Sequence, residues 1–406
     1  MILEPCVYFF QLINHLPAMF IFDAPYISDV AVNYLLESQQ PVFQTAFSQT
    51  LLPKGVNEVS CSQAREILAK SRYSWLYTNS ENAIAAIVDL LGKESEVLKK
   101  VELFKDKLKF RVATSQMFPD IYFKEFGRDE IGALNFSEIA QAFIIKPTVG
   151  FLSAGVYRVN SEIEWFEVQK EILEKTDVVS ASFPKEVLDG SKFIIESVIE
   201  GTEYAIDAYY DDDNTPVVLN ILEHRFNGEH DMGDRLYITS AEIVTTHLDA
   251  VENFLRQLGT LLDLRGVPLH AEIRIDQHGT VRPIEINPLR FAGWCSTDIA
   301  LYAFGINVYE YFTEKKRPVW SEIYEVKKGL QFAMVIVEKR SPVADGQMFD
   351  YEALTSVFSS FLHLRPIDYH TKPLFAFLFL QVDENHTDEL DMALNLDPQG
   401  FIRRVE

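Results

Sequence analysis

Read for the spacing of its apolar positions, the chain begins as strands alternating with helices. The run Ala18-Met-Phe-Ile-Phe-Asp-Ala-Pro25 predicts a short buried strand closed by a turn. Helical spacing follows over 27–37, 62–70 and 82–91, and Trp75-Leu-Tyr-Thr78 predicts a second strand between the last two. Such alternation predicts a parallel α/β unit over about the first hundred residues. No G-x-G-x-x-G follows its first strand, so the unit reads as a substrate or packing domain rather than a dinucleotide site. Residues 95–117 predict lysine-rich helix ending before Pro119. A strand at 142–146, a helix at 161–175 opened by the capping box Ser161-x-x-Glu164, and a strand at 193–198 come next. Segments 203–210 and 217–226 alternate across the acidic turn 211–216 and predict a hairpin. An amphipathic helix over 246–264 buries Leu248, Val251, Phe254, Leu255, Leu258, Leu261 and Leu262, and Gly266 stops it. From Leu330 onward the pattern is that of a small β-rich unit with one helix near 351–362, in which no chemistry is legible.

His270-Ala-Glu-Ile-Arg-Ile-Asp276 alternates strictly, as does Ile284-Glu-Ile-Asn287, and Gly279 between them suits a tight turn. A two-residue loop at His278-Gly279 sets Glu272 opposite Glu285 and His270 opposite Asn287. Opposed residues on one sheet face have Cβ atoms about 4.5–5.5 Å apart, and like charges there repel. Two carboxylates so placed need a cation, or one must take a proton. Mg2+ suits them, because it takes hard oxygen ligands and the Asn287 carbonyl supplies another. A solvated strand face neutralised by Arg274 and Arg282 explains the same segment, and on these residues alone both readings stand.

Other polar features are individually weak. The strand Phe143-Ile-Ile-Lys146 ends in a loop bearing Gly150, Ser153 and Gly155, whose amides can turn toward an anion. The lysine precedes the glycines, so this is not a P-loop, and a plain structural turn accounts for it equally. Lys105-Asp-Lys107 opens another basic patch, which on a helix is ordinarily solvated. Glu196-Ser-Val-Ile-Glu-Gly-Thr-Glu203 breaks a hydrophobic strand with an acidic bend, which an ordinary β-turn also explains. His224 and Arg225 in the next strand fit either a core or a site.

The chain has 406 residues, too many for one compact core, and its 48% hydrophobic and 24% charged content is that of a globular protein. A net charge of -23 argues against a nucleic-acid partner, which needs a basic face. It leaves room for ATP, since a few placed lysines and a metal hold a triphosphate. The three cysteines, Cys6, Cys61 and Cys295, are odd in number and far apart, as free thiols of a reducing compartment are. The N-terminus lacks a secretory n-region and no apolar run spans a bilayer, so a cytoplasmic location without membrane partner is expected.

Taken in order, Asp-Lys, strand–Lys-Pro–glycine loop, Glu-x6-Glu and a Glu…Glu-x-Asn hairpin resemble the ATP-grasp superfamily, specifically its carboxylate–amine ligases, over about residues 100–312. The resemblance implies an α/β (α+β) fold. A Rossmann-like domain at 1–100 would precede ATP-grasp subdomains at 101–195 and 196–318, with a small C-terminal α+β unit at 319–406. It implies that Lys107 and Lys146 hold the ATP phosphates and that the loop with Gly150, Ser153 and Gly155 is a lid. Glu196, Ser197 and Ile199 would form the adenine hinge, and Glu203 would bind the ribose. Glu272, Glu285 and Asn287 would hold two Mg2+ ions, with Mn2+ as an alternative and Glu285 bridging. The family often has an arginine two residues after the metal-binding Asn, whereas Arg290 lies three after Asn287; Arg290 or Arg274 is then the group that meets the reacting carboxyl. The implied reaction joins a small carboxylic acid to an amine through an acyl phosphate, in an enzyme type that is commonly a homodimer. A member using a non-amine acceptor and a non-catalytic ATP-binding protein are the competing readings.

Overall fold

The computed structural model describes residues 17–139, 142–149, 155–180, 189–228, 233–383 and 386–405. Its first sheet holds β1 (Met19–Ile21), β2 (Val42–Phe43), β3 (Glu58–Val59) and β4 (Leu76–Thr78), all parallel in the order β3-β2-β1-β4. Every residue of β1 and β4 is buried, as befits strands covered on both faces. The helices Asp29–Ser38 and Cys61–Lys70 start where Ser28 and Ser60 accept a hydrogen bond from a first-turn N–H. The apolar spacing locates these helices, and the caps set their first residues.

Residues 95–117 form two helices, Glu96–Lys105 and Lys107–Thr114. Asp106 breaks the run because its extended backbone lets its carboxylate cap the second helix. A second, antiparallel sheet contains β5 (Phe123–Gly127), β6 (Phe143–Val149), β7 (Tyr157–Val159) and β8 (Asp189–Ser197), ordered β5-β8-β6-β7. The helix Glu162–Ser180 covers it, with Trp165 and Ile172 packed among Phe126, Phe143 and Phe193. Its expected capping box forms only in half. Ser161 Oγ accepts from the Glu164 N–H, but the Glu164 carboxylate turns to the N–H of Asn160, 2.7 Å away.

The main sheet is built from β9 (Thr202–Tyr210), β10 (Pro216–Arg225), β11 (Leu236–Thr239), β12 (Val267–Ile275), β13 (Val281–Pro288) and β14 (Leu330–Glu338). Beyond the short pair of β15 (Gln347–Phe349) with β18 (Ile402–Arg404), it also takes β16 (Phe361–Pro366) and β17 (Leu374–Asp383). The order is β13-β12-β9-β10-β11-β14-β17-β16. The C-terminal strands therefore continue the sheet that carries the hairpin of interest, through the pairing of Leu236–Thr239 with Phe332–Val335. Behind it lies the helix Ala241–Leu262, whose Val251, Phe254, Leu255 and Leu258 are buried as their spacing predicts. Leu261, expected inside, is 44% exposed. The helix starts five residues before the expected position, because Ser240 caps it, and it ends on Asp263 in the left-handed region rather than at Gly266. Gly266 is needed for another reason: a Cβ there would lie 3.0 Å from the Trp75 indole. Among the described residues no helix is long and apolar enough to cross a membrane.

Candidate functional site

Glu272 lies directly opposite Glu285, and His270 opposite Asn287, but the route to this register differs from the expected one. Asp276 and Thr280 close the hairpin, so the loop has three residues, Gln277-His278-Gly279, with Gly279 at φ 79°. The Asp276 carboxylate accepts the N–H groups of His278 and Thr280, which favours this longer turn. A loop one residue longer would slide Ile284 opposite Glu272 and turn Glu285 to the other face. A bulge restores the pairing, because Ile273 pairs with Pro283 while Glu272 pairs with Glu285, leaving Ile284 out of the ladder.

The carboxylates behave as a pair short of positive charge. Desolvation, then Glu285, then Glu203 push the Glu272 carboxyl well above the usual range, although its side chain remains 36% exposed. Lys107 Nζ stands 3.7 Å from Glu285 Oε2, and Asn287 is buried on the same strand. Among the described residues no group of three or more His, Cys, Asp or Glu side chains is placed to hold a metal. An ion here would therefore rest on two carboxylates and the Asn287 oxygen, a hard donor set that fits Mg2+. On the same face, one strand over from His270, the buried Asp207 accepts from His270 Nδ1 and the Ala292 N–H, both at 2.8 Å. That contact leaves His270 Nε2 on the Glu272 side, 3.9 Å from Oε1.

A second cluster faces this one. Lys146 on β6 lies 2.8 Å from the Glu196 carboxylate on β8, and Arg111 Nε donates to the other Glu196 oxygen at 2.8 Å. All three are buried. Burial alone would raise the Glu196 carboxyl, but Lys146 and Arg111 together hold it at about 2. Burial draws Lys146 below its ordinary value against the pull of Glu196. Arg111 also reaches the bulge, with Nη1 donating to Pro283 O at 2.8 Å and Nη2 near Ile284 O at 3.5 Å.

The remaining expected site residues fall around these clusters. Ser197 ends β8 and pairs through its N–H with Tyr122 O. Ile199 O accepts from Arg274 Nη1 at 2.8 Å, while Arg274 Nη2 and Nε engage Glu203. Arg274 is thus bound to the Glu196–Glu203 bend. Glu203 is held further by His224 Nδ1 at 3.0 Å; against burial, His224 and Arg274 keep its carboxyl below the usual range. Gly155 has φ 74°, and a Cβ there would lie 3.3 Å from the Pro147 ring; Gly150 and Ser153 lie outside the described residues. Arg290 is drawn to Glu81, 3.4 Å away, which Lys105 also contacts. Its offset from Asn287 follows from Leu289, which adopts φ 65° and packs with the first sheet.

Residues 139–298 match the family model of the ATP-grasp domain. The chain carries an ATP-grasp domain. No curated protein matches the sequence. The L-amino acid ligase from Bacillus licheniformis, 16% identical, superposes with a TM-score of 0.64 over 96% of this chain and 99% of its own. For N5-carboxyaminoimidazole ribonucleotide synthetase from Thermotoga maritima the identity is 12% and the TM-score 0.59, over 96% and 99%. The biotin carboxylase domain of 2-oxoglutarate carboxylase from Hydrogenobacter thermophilus, solved as a dimer with MgADP and bicarbonate, gives 11% and 0.55 over 93% and 89%. At such identities the likeness carries the fold, and it extends over the first sheet and the C-terminal strands as well as the ATP-grasp domain.

Arg111, Asp207 and Glu81 escaped the sequence reading. Arg111 offered one signal, since it follows Lys107 by four residues and so shares its helix face. Asp207 and Glu81 offered none, being single acids whose partners lie 63 or more and 24 or more residues away.

Proposed function

We propose that the chain is an ATP- and Mg2+-dependent ligase that joins a carboxylic acid to an amine through an acyl phosphate, releasing ADP and phosphate. The observation that carries this is the opposed pair Glu272 and Glu285, short of positive charge and flanked by Lys107 and the buried Lys146–Glu196–Arg111 cluster. In this reading Lys107 and Lys146 hold phosphate oxygens, Glu196, Ser197 and Ile199 meet the adenine, and Glu203 binds the ribose. The loop with Gly150, Ser153 and Gly155 shuts out water, which would otherwise hydrolyse the acyl phosphate. Glu272, Glu285 and Asn287 would hold the metal, which when bound neutralises phosphate charge and aligns the reacting oxygens. A substrate carboxylate oxygen attacks the γ-phosphorus and ADP leaves. The amine nitrogen then attacks the acyl carbon, the C–O bond to phosphate breaks and the amine loses a proton. Arg290 is the candidate to steady the carboxyl group, and Arg274 acts at the hinge. The four-part division at 100, 195 and 318, a homodimer and a cytoplasmic setting belong to the same proposal.

The names of the similar structures support the chemistry. One is an amino acid ligase, which makes amino acids the first acids and amines to try. Another is a biotin carboxylase domain, which keeps a different acceptor in view. The test is phosphate release from ATP with amino acids supplied in pairs, followed by the mass of any product. We expect a condensed product one water lighter than the pair, and at least a hundredfold loss in Glu285→Gln. If no acid–amine pair stimulates release and Glu285→Gln binds Mg-ATP as the wild type does, the proposal is wrong.

A further inference from the structure

We propose that Arg111 is a positioning residue that locks the nucleotide side of the site and its metal side into one register. The inference rests on the Mg-ATP reading above but concerns a residue to which that reading assigns no role of its own.

The guanidinium is 2% exposed and divides its donors between two elements. On one side Nε and Nη2 meet the two Glu196 oxygens at 2.8 and 3.3 Å. On the other, Nη1 meets Pro283 O at 2.8 Å, with Ile284 O at 3.5 Å from Nη2. These two carbonyls belong to the residues at the β13 bulge, where the ladder is interrupted and carbonyls lose their strand partners. The bulge is also what turns Glu285 toward Glu272 instead of to the opposite face. Arg111 therefore stabilises the one local irregularity on which the carboxylate pair depends.

Its other arm acts on Lys146. Glu196 is a single carboxylate shared by two buried cations. Without Arg111, Lys146 alone would neutralise it, and its ammonium would be held on Glu196 instead of reaching a phosphate. The planar fork matters here, because a lysine ammonium can satisfy Glu196 but cannot span to Pro283 O as well. Helix Lys107–Thr114 carries both Lys107 and Arg111, so one rigid element touches Glu285, Glu196 and the bulge.

The lysine variant separates the two arms. Full-length wild type, Arg111→Lys and Arg111→Met are compared in two binding measurements: ATP by calorimetry in EDTA, and Mn2+ by its electron paramagnetic signal. We expect Arg111→Lys to bind ATP within threefold of wild type and Mn2+ at least tenfold more weakly, and Arg111→Met to lose both. Because Arg111→Met can unfold the chain, Arg111→Lys with an unchanged far-UV spectrum and melting temperature carries the test. Arg111→Lys binding Mn2+ within threefold of wild type overturns the inference and leaves the Mg-ATP reading standing. Wild type binding neither ligand removes that reading, and the inference with it.

Discussion

The buried pair Asp298–Arg365 gives a test of how the C-terminal strands are joined to the rest of the fold. Arg365 on β16 is 4% exposed and donates to Asp298 Oδ2 at 2.5 Å and to the carbonyls of Trp294 and Cys295 at 3.0 Å each. Those two residues have φ of 56° and 54°, a left-handed conformation that costs of order 1 kcal/mol or more per side-chain-bearing residue unless neighbours impose it. Tyr309 donates to the other Asp298 oxygen at 3.0 Å. Arg365→Met removes one partner of a fully desolvated pair, a change that typically costs about 3–5 kcal/mol. Burial already raises the Asp298 carboxyl against the opposing pull of Arg365, so without the guanidinium it rises further. The folded variant then binds a proton that its unfolded chain has released. By linkage its stability falls as pH rises, so the deficit against wild type should be larger at pH 8 than at pH 5. Chemical unfolding at both pH values, read by tryptophan fluorescence, measures this. Adding Asp298→Asn, which keeps an acceptor for Tyr309, should recover a large part of the loss. A deficit below about 1 kcal/mol at neutral pH, or one equal at pH 5 and 8, would refute the reasoning.

Two further outcomes follow from single sites. Glu196 has its folded carboxyl lowered to about 2 from the ordinary 4.5, so it contributes roughly 3 kcal/mol above pH 4.5, lost as pH falls toward 2. Acid unfolding of Glu196→Gln should lack that limb; a slope like the wild type's between these values contradicts it. Gly201 has φ 119°, and a Cβ there would fall 2.4 Å from Ile275 O. Gly201→Ala should therefore cost about 3 kcal/mol or more in denaturant unfolding, and a loss under about 1 kcal/mol would show that the bend can give way.

What could be read from the sequence depended on how local its cause was. Strict alternation placed β12 and β13, and apolar spacing placed the helix behind them, because both patterns arise within the element. The hairpin register came out right through two deviations that cancel, a three-residue loop and the bulge at Ile284. Neither is visible in alternation alone, since the loop is set by Asp276 capping it and the bulge by an arginine more than 170 residues upstream. That the C-terminal strands continue the main sheet was not legible for a similar reason, since the pairing of β11 with β14 joins segments far apart in the chain. Their clue was the run Leu374–Leu380, buried throughout, which marks a strand covered on both faces inside a large sheet rather than one face of a small one.

The arginine that sits one place late is better understood as a consequence of joining two sheets. Leu289 is the residue just before it. Its N–H bonds to Pro268 O, its carbonyl accepts the Thr78 N–H at 2.7 Å, and its side chain packs with Met19, Ile21 and Leu76. One residue in the left-handed region thus pins the end of β13 to β4 of the parallel sheet. The same turn delivers Arg290 to Glu81, which lies just past β4 and is shared with Lys105. An arginine at position 289 could keep these backbone bonds but would lose the apolar side chain packed with Met19, Ile21 and Leu76. The late position of the arginine therefore goes with a fixed link between the Glu272–Glu285 hairpin and the N-terminal sheet, made by the backbone and side chain of Leu289 and by the Arg290–Glu81 ion pair.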